Sequence, residues 1–264
     1  MEQSSILSVL NKKHIADEFS DHQESLHYAI NHFDSLGYKV GKGRRNMVKH
    51  IRVKDLDLNV KSFKTPNPVN RLAYRFFRKS KARRSYEYAR RLLDQGILTP
   101  TPVACFEQFS RLAFGRSFYI SVHIKEDLTF RTLIEDPQYP EREEIIRQFT
   151  RFTHEMHEKG ILFLDHSPGN TLIKKSKEGT YRFYLVDLNR MRHNQKLSFK
   201  SRMKNFARLT ATDDIIAIMS REYASLTGHE FNTVYACMVK YTRANHERRL
   251  RQKRLNRQLG RYKP

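Results

Sequence analysis

The sequence predicts an α+β protein of two lobes, strand-rich in its N-terminal half and helix-rich in its C-terminal half. Three observations carry that expectation. Short alternating apolar runs separated by turn residues fill residues 37 to 122 around a single helical stretch, whereas beyond residue 123 the apolar periodicity is mostly helical. The helical half is interrupted by "ILFLDHSPGN", "TLIKK" and "YRFYLVDLNR", strand-like runs that surround an Asp-x-x-x-x-Asn turn. At 264 residues the chain can form one large domain or two lobes, and either size buries an adequate core.

The elements follow in order. Ile15, Phe19, Leu26, Ile30 and Phe33 keep a loose helical period that Gly37 closes, so residues 1–36 read as an N-terminal helical segment. "GYKVGKGRRNMVKHIRVKDLDLNVKSFK" alternates like a meander of two or three strands with "KDLD" as a turn. "KTPNPVN" breaks it, and "RLAYRFFRKSKARRSYEYARRLLDQG" is rich in helix formers up to Gly96. "CFEQFSRLA" and "RSFYISVHI" are two more strands, and "EREEIIRQFTRFTHEMHEKG" begins the helical half. The expected division is therefore 1–36, a strand-rich N-lobe over 37–122, a small helical C-lobe over 123–242, and a basic tail over 243–264.

Composition narrows the function classes. Apolar residues are 39% and aromatics 11% of the chain, enough to offset the entropy of folding, so a disordered protein is excluded. No apolar run approaches the roughly 20 residues that span a bilayer, and "MEQSSILSVLNKKH" has neither a basic leader nor a long apolar core, so a cytoplasmic protein is expected. Cys105 and Cys237 lie far apart without metal-site spacing and read as small core residues. His154 and His157 are three apart on a helix; without a third ligand nearby they read as structural. Lys+Arg 50 against Asp+Glu 28 gives +22, a field that attracts nucleic acid, anionic lipid headgroups or phosphorylated sugars. The excess is concentrated between Lys61 and Arg91 and in the tail, where Glu247 is the only acid. That tail reads equally as a solvated basic helix or as a surface-binding one.

Five positions then fall in one order. "VGKGRRNMV" supplies Gly41 and Gly43 where a strand turns, followed by Asn46 in place of a third glycine; such glycines let backbone approach phosphate oxygens. Lys61 follows Val60 at the end of a strand, where alternation lets one face a core and the other a nucleotide phosphate. Glu87 is the only carboxylate in the strongly basic segment that follows, and is expected to pair with Lys61. Asp165 and Asn170 have the spacing of a phosphoryl-transfer loop, in which the aspartate orients the attacking hydroxyl and the asparagine holds Mg²⁺. Asp187 ends a strand where a second metal carboxylate is expected, with Leu188 and Asn189 in place of Phe and Gly. The set predicts a bilobal protein-kinase-like fold using ATP and Mg²⁺. Phe163 and Leu164 replace the His-Arg that precedes the aspartate in protein kinases, so an activation-loop phosphate would lack its cationic anchor.

"GRRNMVKHI", "VKSFKTPN", "RKSKARRSYEYA", "GILTPTPVA", "MHEKGILFLDHSPGNTLI" and "YLVDLNRM" together resemble the lipopolysaccharide kinase family, particularly the branch found in Bacteroidetes. The likeness spans roughly residues 35 to 230, with "DHSPGN" and "DLNRM" its most specific parts. It implies an ATP phosphotransferase that phosphorylates Kdo or heptose on a lipid A acceptor, with Asp165 as catalytic base and Asn170 and Asp187 as metal ligands. It also gives the positive charge a use, holding the enzyme on the anionic inner face of the inner membrane. Arg190 and Arg192 follow the metal aspartate, and their guanidinium forks suit an acceptor carboxylate or phosphate. The opposing reading is that one of them braces the loop through Asp165.

Two other readings stand beside this one. A small atypical protein kinase of the type that acts with tRNA-modification complexes would also use a basic surface. A nucleic-acid binder on a degenerate kinase fold would stack bases on Tyr74, Phe76 and Phe77. The retention of all five catalytic residue types argues against nucleic acid as the partner.

Overall fold

The structure, a computed structural model, describes residues 10–41, 46–64, 78–109, 114–193, 196–209 and 212–259. Gly43, Tyr74, Phe76 and Phe77 lie outside the described residues. The chain divides into two compact units, Met1–Lys125 with Asp187–Asn189, and Glu126–Val186 with Arg190–Pro264.

The first unit is built on an antiparallel sheet of six strands: β1 (Leu10–Ile15), β2 (Tyr38–Lys39), β3 (Asn46–Val53), β4 (Leu56–Phe63), β5 (Pro102–Phe109) and β6 (Phe114–Val122), in the order β1-β5-β6-β4-β3-β2. Hairpin β3–β4 turns at Lys54, whose φ of 52° is the left-handed conformation a tight turn requires. Along β4 the alternation is clean: Leu58 and Val60 are fully buried, and Asn59 and Lys61 face the other way. Helix α1 (Gln23–Asn31) follows a 3₁₀ turn at Asp17–His22. Leu26, Ala29, Ile30 and Phe33 fall on one helical face and pack with Leu58, Val60, Val103, Phe106, Phe118 and Ile120. Gly37 ends this segment at φ +62°, and a Cβ there would sit 2.0 Å from the carbonyl oxygen of His50, so only glycine fits.

Residues 1–36 are thus not wholly helical and not separate from the lobe. β1 pairs with β5, Ile15 opposite Ala104 and His14 opposite Cys105, and α1 completes the apolar core. Cys105 is fully buried there, the small core residue the sequence suggests. Helix α2 (Lys81–Asp94) starts at Ser80, whose hydroxyl accepts from the Arg83 N–H at 3.0 Å, and buries Ala82, Ser85, Tyr86, Ala89 and Leu92. Arg90 and Arg91 lie on its exposed face, while Arg83 and Arg84 are half-buried beside the apolar residues.

The second unit contains α3 (Phe130–Glu135), α4 (Arg142–Glu158), α5 (Phe199–Phe206), α6 (Asp213–Thr227) and α7 (Phe231–Gln258). Two small sheets accompany them: β10-β9-β7, from Leu128–Thr129 (β7), Thr171–Lys175 (β9) and Tyr181–Leu185 (β10), and a pair of Leu162–Phe163 (β8) with Met191–Arg192 (β11). Phe130, Ile145, Ile146, Phe149, Phe206, Ile216, Met219, Tyr223, Val234 and Met238 form its core, against which half-buried Cys237 packs. Glu222 on α6, mostly buried, accepts from Arg151 at 2.6 Å and Arg147 at 3.3 Å on α4, fixing those two helices together. The basic tail from residue 243 is helical and continues the preceding segment: α7 runs without interruption from Phe231 to Gln258. Lys and Arg are good helix formers, so the helix continues through the change to basic composition.

Candidate active site

In the first unit, β4 delivers Lys61. Its neighbour Val60 is buried in the core, so the pleat turns Lys61 away from it, and the ammonium donates to Asp187 Oδ1 at 2.5 Å. The lysine side chain is only 14% exposed and lies over the ring of Phe63 at 5.3 Å. Asp187 adopts φ +61°, uncommon for a residue with a Cβ, and its carbonyl accepts from the Asn189 N–H at 2.9 Å. The Asn189 side-chain amide also donates to the Asp187 carboxylate. Asn189 therefore fixes the aspartate from two sides, a role its position as a glycine substitute did not suggest. Gly41 sits at φ +74° with no atom of the described residues within 4 Å of where a Cβ would stand, and Asn46 opens β3 opposite Phe63.

Glu87 does not meet Lys61. Its carboxylate accepts from Lys79 at 2.7 Å and Arg83 at 2.9 Å. Burial alone would raise its pKa, but these two hydrogen bonds and charges hold it below the ordinary range. The expected Lys61–Glu87 pair is corrected accordingly. In so basic a helix the nearest cations capture the lone acid, one of them at the i,i+4 spacing.

In the second unit, β8 leads into the Asp165–Asn170 turn and β9 leaves it. Leu164 donates its N–H to the Arg190 carbonyl at 3.2 Å, Asn170 N–H donates to Ser167 at 2.9 Å, and the Asn170 side-chain amide donates to the Asp165 carbonyl at 2.9 Å. The turn is thereby closed on itself, and the Asn170 amide oxygen is directed away from that bond. Val186 N–H caps the Asn170 carbonyl at 3.0 Å.

Beneath the turn lies a buried polar chain. His157 Nδ1 meets the Tyr223 hydroxyl at 3.0 Å and Nε2 meets Asn205 Oδ1 at 3.1 Å, while the Asn205 amide donates to the Phe163 carbonyl at 2.7 Å. Asn205 Oδ1 can only accept, so His157 carries its proton on Nε2 and is neutral. Burial lowers its pKa to about 4. His157 is structural, as its spacing suggests. His166 is fully buried between Phe149, Phe163 and Phe206, with no hydrogen bond at either nitrogen among the described residues. Burial lowers its pKa to about 3.

Asp165 is clamped. Arg190 donates from Nε to Oδ2 at 2.7 Å and from Nη2 to Oδ1 at 2.5 Å, and Arg208 donates to Oδ1 at 2.8 Å and to the Leu164 carbonyl at 3.1 Å. Burial raises the Asp165 carboxyl, and the two guanidinium groups more than offset that, holding it below the usual value. Arg190 is thus the brace of the opposing reading, whereas Arg192 stands exposed on β11. Arg208 escapes sequence reasoning because it lies in no motif, just past the end of α5.

Carboxylate and amide oxygens are the hard donors that Mg²⁺ accepts, with phosphates and water completing its shell. Asp187 and Asn170 fit that chemistry, and the Asp187 side chain is 38% exposed. Among the described residues no cluster of three His, Cys, Asp or Glu side chains forms. A site of this kind needs none, because Mg²⁺ is commonly held by one or two carboxylates and the substrate.

The model of the lipopolysaccharide kinase (Kdo/WaaP) family matches residues 41–229, well over half of the chain. The chain belongs to that family. The solved structure described as WaaP in complex with acyl carrier protein has the same fold, at TM-score 0.60 and 17% identity, covering 90% of this chain and 98% of that one. Comparison with curated proteins gives no match. Family membership makes this chain a lipopolysaccharide kinase by descent and a phosphotransferase by class, and its α+β, kinase-like architecture is the one the sequence predicts. No described helix is long and apolar enough to cross a membrane.

Proposed function

We propose that this protein transfers the γ-phosphoryl group of ATP to a hydroxyl of Kdo, or of heptose, in the lipopolysaccharide inner core on a lipid A acceptor. The observation that carries the proposal is the family match, which spans Lys61, Asp165, Asn170 and Asp187 in their expected order. Each of these has a defined task in phosphoryl transfer. Lys61 neutralises and positions the phosphates; Glu87, paired elsewhere, steadies the helix instead. Asp187 and Asn170 would hold Mg²⁺, which supplies charge neutralisation at the phosphate oxygens when bound. Gly41, Gly43 and Asn46 form the stretch that covers the phosphates in the family pattern.

Asp165 orients the acceptor hydroxyl by accepting its hydrogen bond. Its depressed carboxyl makes it a weak base, which is sufficient, because a loose phosphoryl-transfer transition state asks for positioning more than for early deprotonation. The basic surface would hold the enzyme beside an anionic membrane.

The decisive experiment incubates the protein with Mg-ATP and a panel of Kdo- and heptose-bearing lipid A acceptors and locates the new phosphate by mass spectrometry. Parallel reactions with acyl carrier protein, the partner named for WaaP, extend it. Transfer to a protein substrate but to no saccharide would overturn the proposal.

A further inference from the structure

The second unit holds a pocket of about 640 Å³ lined by Arg131, Arg190, Arg208, His246, Arg248 and Arg249. Glu135 is the one acid in its wall, 4.0 Å from Arg131. Five guanidinium groups about one carboxylate leave a strong positive excess, and forks of this kind match tetrahedral phosphate oxygens. The volume falls within the range of pockets that enclose small ligands and exceeds the need of a single carboxylate.

The pocket is a built feature. Its far wall is α7, anchored where the Asn245 side chain donates to the Ala207 carbonyl at 3.1 Å, directly beside Arg208, and Thr242 is buried one turn earlier. Arg248 donates from Nη2 to Asn245 Oδ1 at 3.3 Å, which holds its guanidinium head beside the pocket wall. On the near wall, Arg190 and Arg208 are the two groups that clamp Asp165. They are 59% and 39% exposed, so their heads can exchange partners.

We propose that this pocket binds a phosphate monoester on the acceptor saccharide, and that the bound phosphate draws Arg190 and Arg208 from Asp165, freeing its carboxylate for the acceptor hydroxyl. The inference rests on the function proposed above and adds the part of the acceptor that is recognised. In this structure both carboxylate oxygens are engaged by guanidinium groups, so the hydroxyl has a competitor at its acceptor atom. A dianion that offers the forks a better partner removes that competitor at the moment the correct acceptor arrives. Arg190 and Arg208 are positioning residues in this scheme.

Two measurements test it. Calorimetric titration compares glucosamine 1-phosphate, inorganic phosphate and unphosphorylated glucosamine on the wild type, on R248Q/R249Q, and on K253Q/R254Q further along the same helix. Glucosamine 1-phosphate should bind more tightly than both glucosamine and inorganic phosphate. R248Q/R249Q should weaken it about tenfold, the loss of one charge-assisted hydrogen bond, while K253Q/R254Q should change it little. Equal loss in both variants, or no preference for the phosphorylated sugar, would reduce the pocket to general electrostatics and overturn the proposal. Steady-state kinetics then compare a lipid A acceptor with its dephosphorylated analogue. The phosphate should raise kcat as well as lower KM; an effect on KM alone would overturn the release of Asp165. Should no saccharide acceptor be phosphorylated at all, the proposed function fails while the titration still decides the pocket.

Discussion

Asp165 and His166 are adjacent, yet acid acts on them in different windows. His157 and His166 are held near 4 and 3 by burial, below their ordinary 6.5, so as pH falls the unfolded chain takes up these protons first. Their share of stability is complete above about pH 6.5 and is lost progressively below it. Each histidine costs up to about 1.4 kcal/mol per pH unit in that range. Asp165, depressed by its arginines after burial is offset, contributes stability above the ordinary carboxylate value of 3.8 and loses it only as pH falls further. Acid unfolding between pH 6.5 and 4 should therefore be a histidine effect. Replacing His166 by Leu removes a buried ring whose nitrogens make no well-formed hydrogen bond among the described residues, with Asn205 as its polar neighbour, so stability at pH 7 should hold or rise by about 1 kcal/mol, with a shallower decline toward pH 5 in urea titrations. An unchanged slope would mean that burial of His166 is not its origin. Asp187→Ala should leave the fold intact and lower phosphoryl transfer at least ~100-fold, since it removes both the proposed metal carboxylate and the partner of Lys61. Near-normal turnover by a folded D187A protein would reject its assigned role.

At the scale of elements, the sheet and α2 make a specific claim about coupling. Lys61 on β4 pairs with Asp187 and Glu87 on α2 pairs with Lys79 and Arg83, so no hydrogen bond or ion pair joins the two. The effects of Lys61→Ala and Glu87→Ala on kcat/KM should multiply in the double variant. A double variant no worse than Lys61→Ala alone would show that they act as one unit during turnover. This is also where sequence reading reaches its limit. Lys61, Asp165 and Asp187 were legible because each stands at the end of an apolar strand-like run, and strands place residues by a fixed alternation. The partner of Glu87 was not, because a helix offers i+4 neighbours that compete with any distant lysine. β1 was missed for a related reason: "LNKKHI" has too few apolar residues to alternate, and its pairing is dictated by the edge of β5. Arg208 had no local signal, since its function comes from the end of α5 meeting a turn some forty residues earlier in sequence.

For the whole molecule, the charge of +22, the exposed Leu250 and Leu255 on the basic stretch of α7 and the exposed Leu259 just past its end describe a segment suited to an anionic surface. Truncation after Arg249 should weaken binding to phosphatidylserine-containing vesicles, and the loss should shrink as salt rises. Equal vesicle affinity before and after truncation would remove this stretch as a membrane-binding element. The family match begins at residue 41, whereas β1 and α1 precede it. A version beginning at residue 41 but keeping the rest of the chain would lose both edge strands of the sheet, β1 and β2, and the apolar lid of Leu26, Ile30 and Phe33 from its face. β5 would then present a long row of unsatisfied backbone groups, the template on which a second chain can add a strand. Such a fragment should emerge from expression as oligomers or insoluble material, detectable by light scattering, while the full chain stays dispersed. On that expectation β1 and α1, which precede the matched span, guard the sheet against self-association.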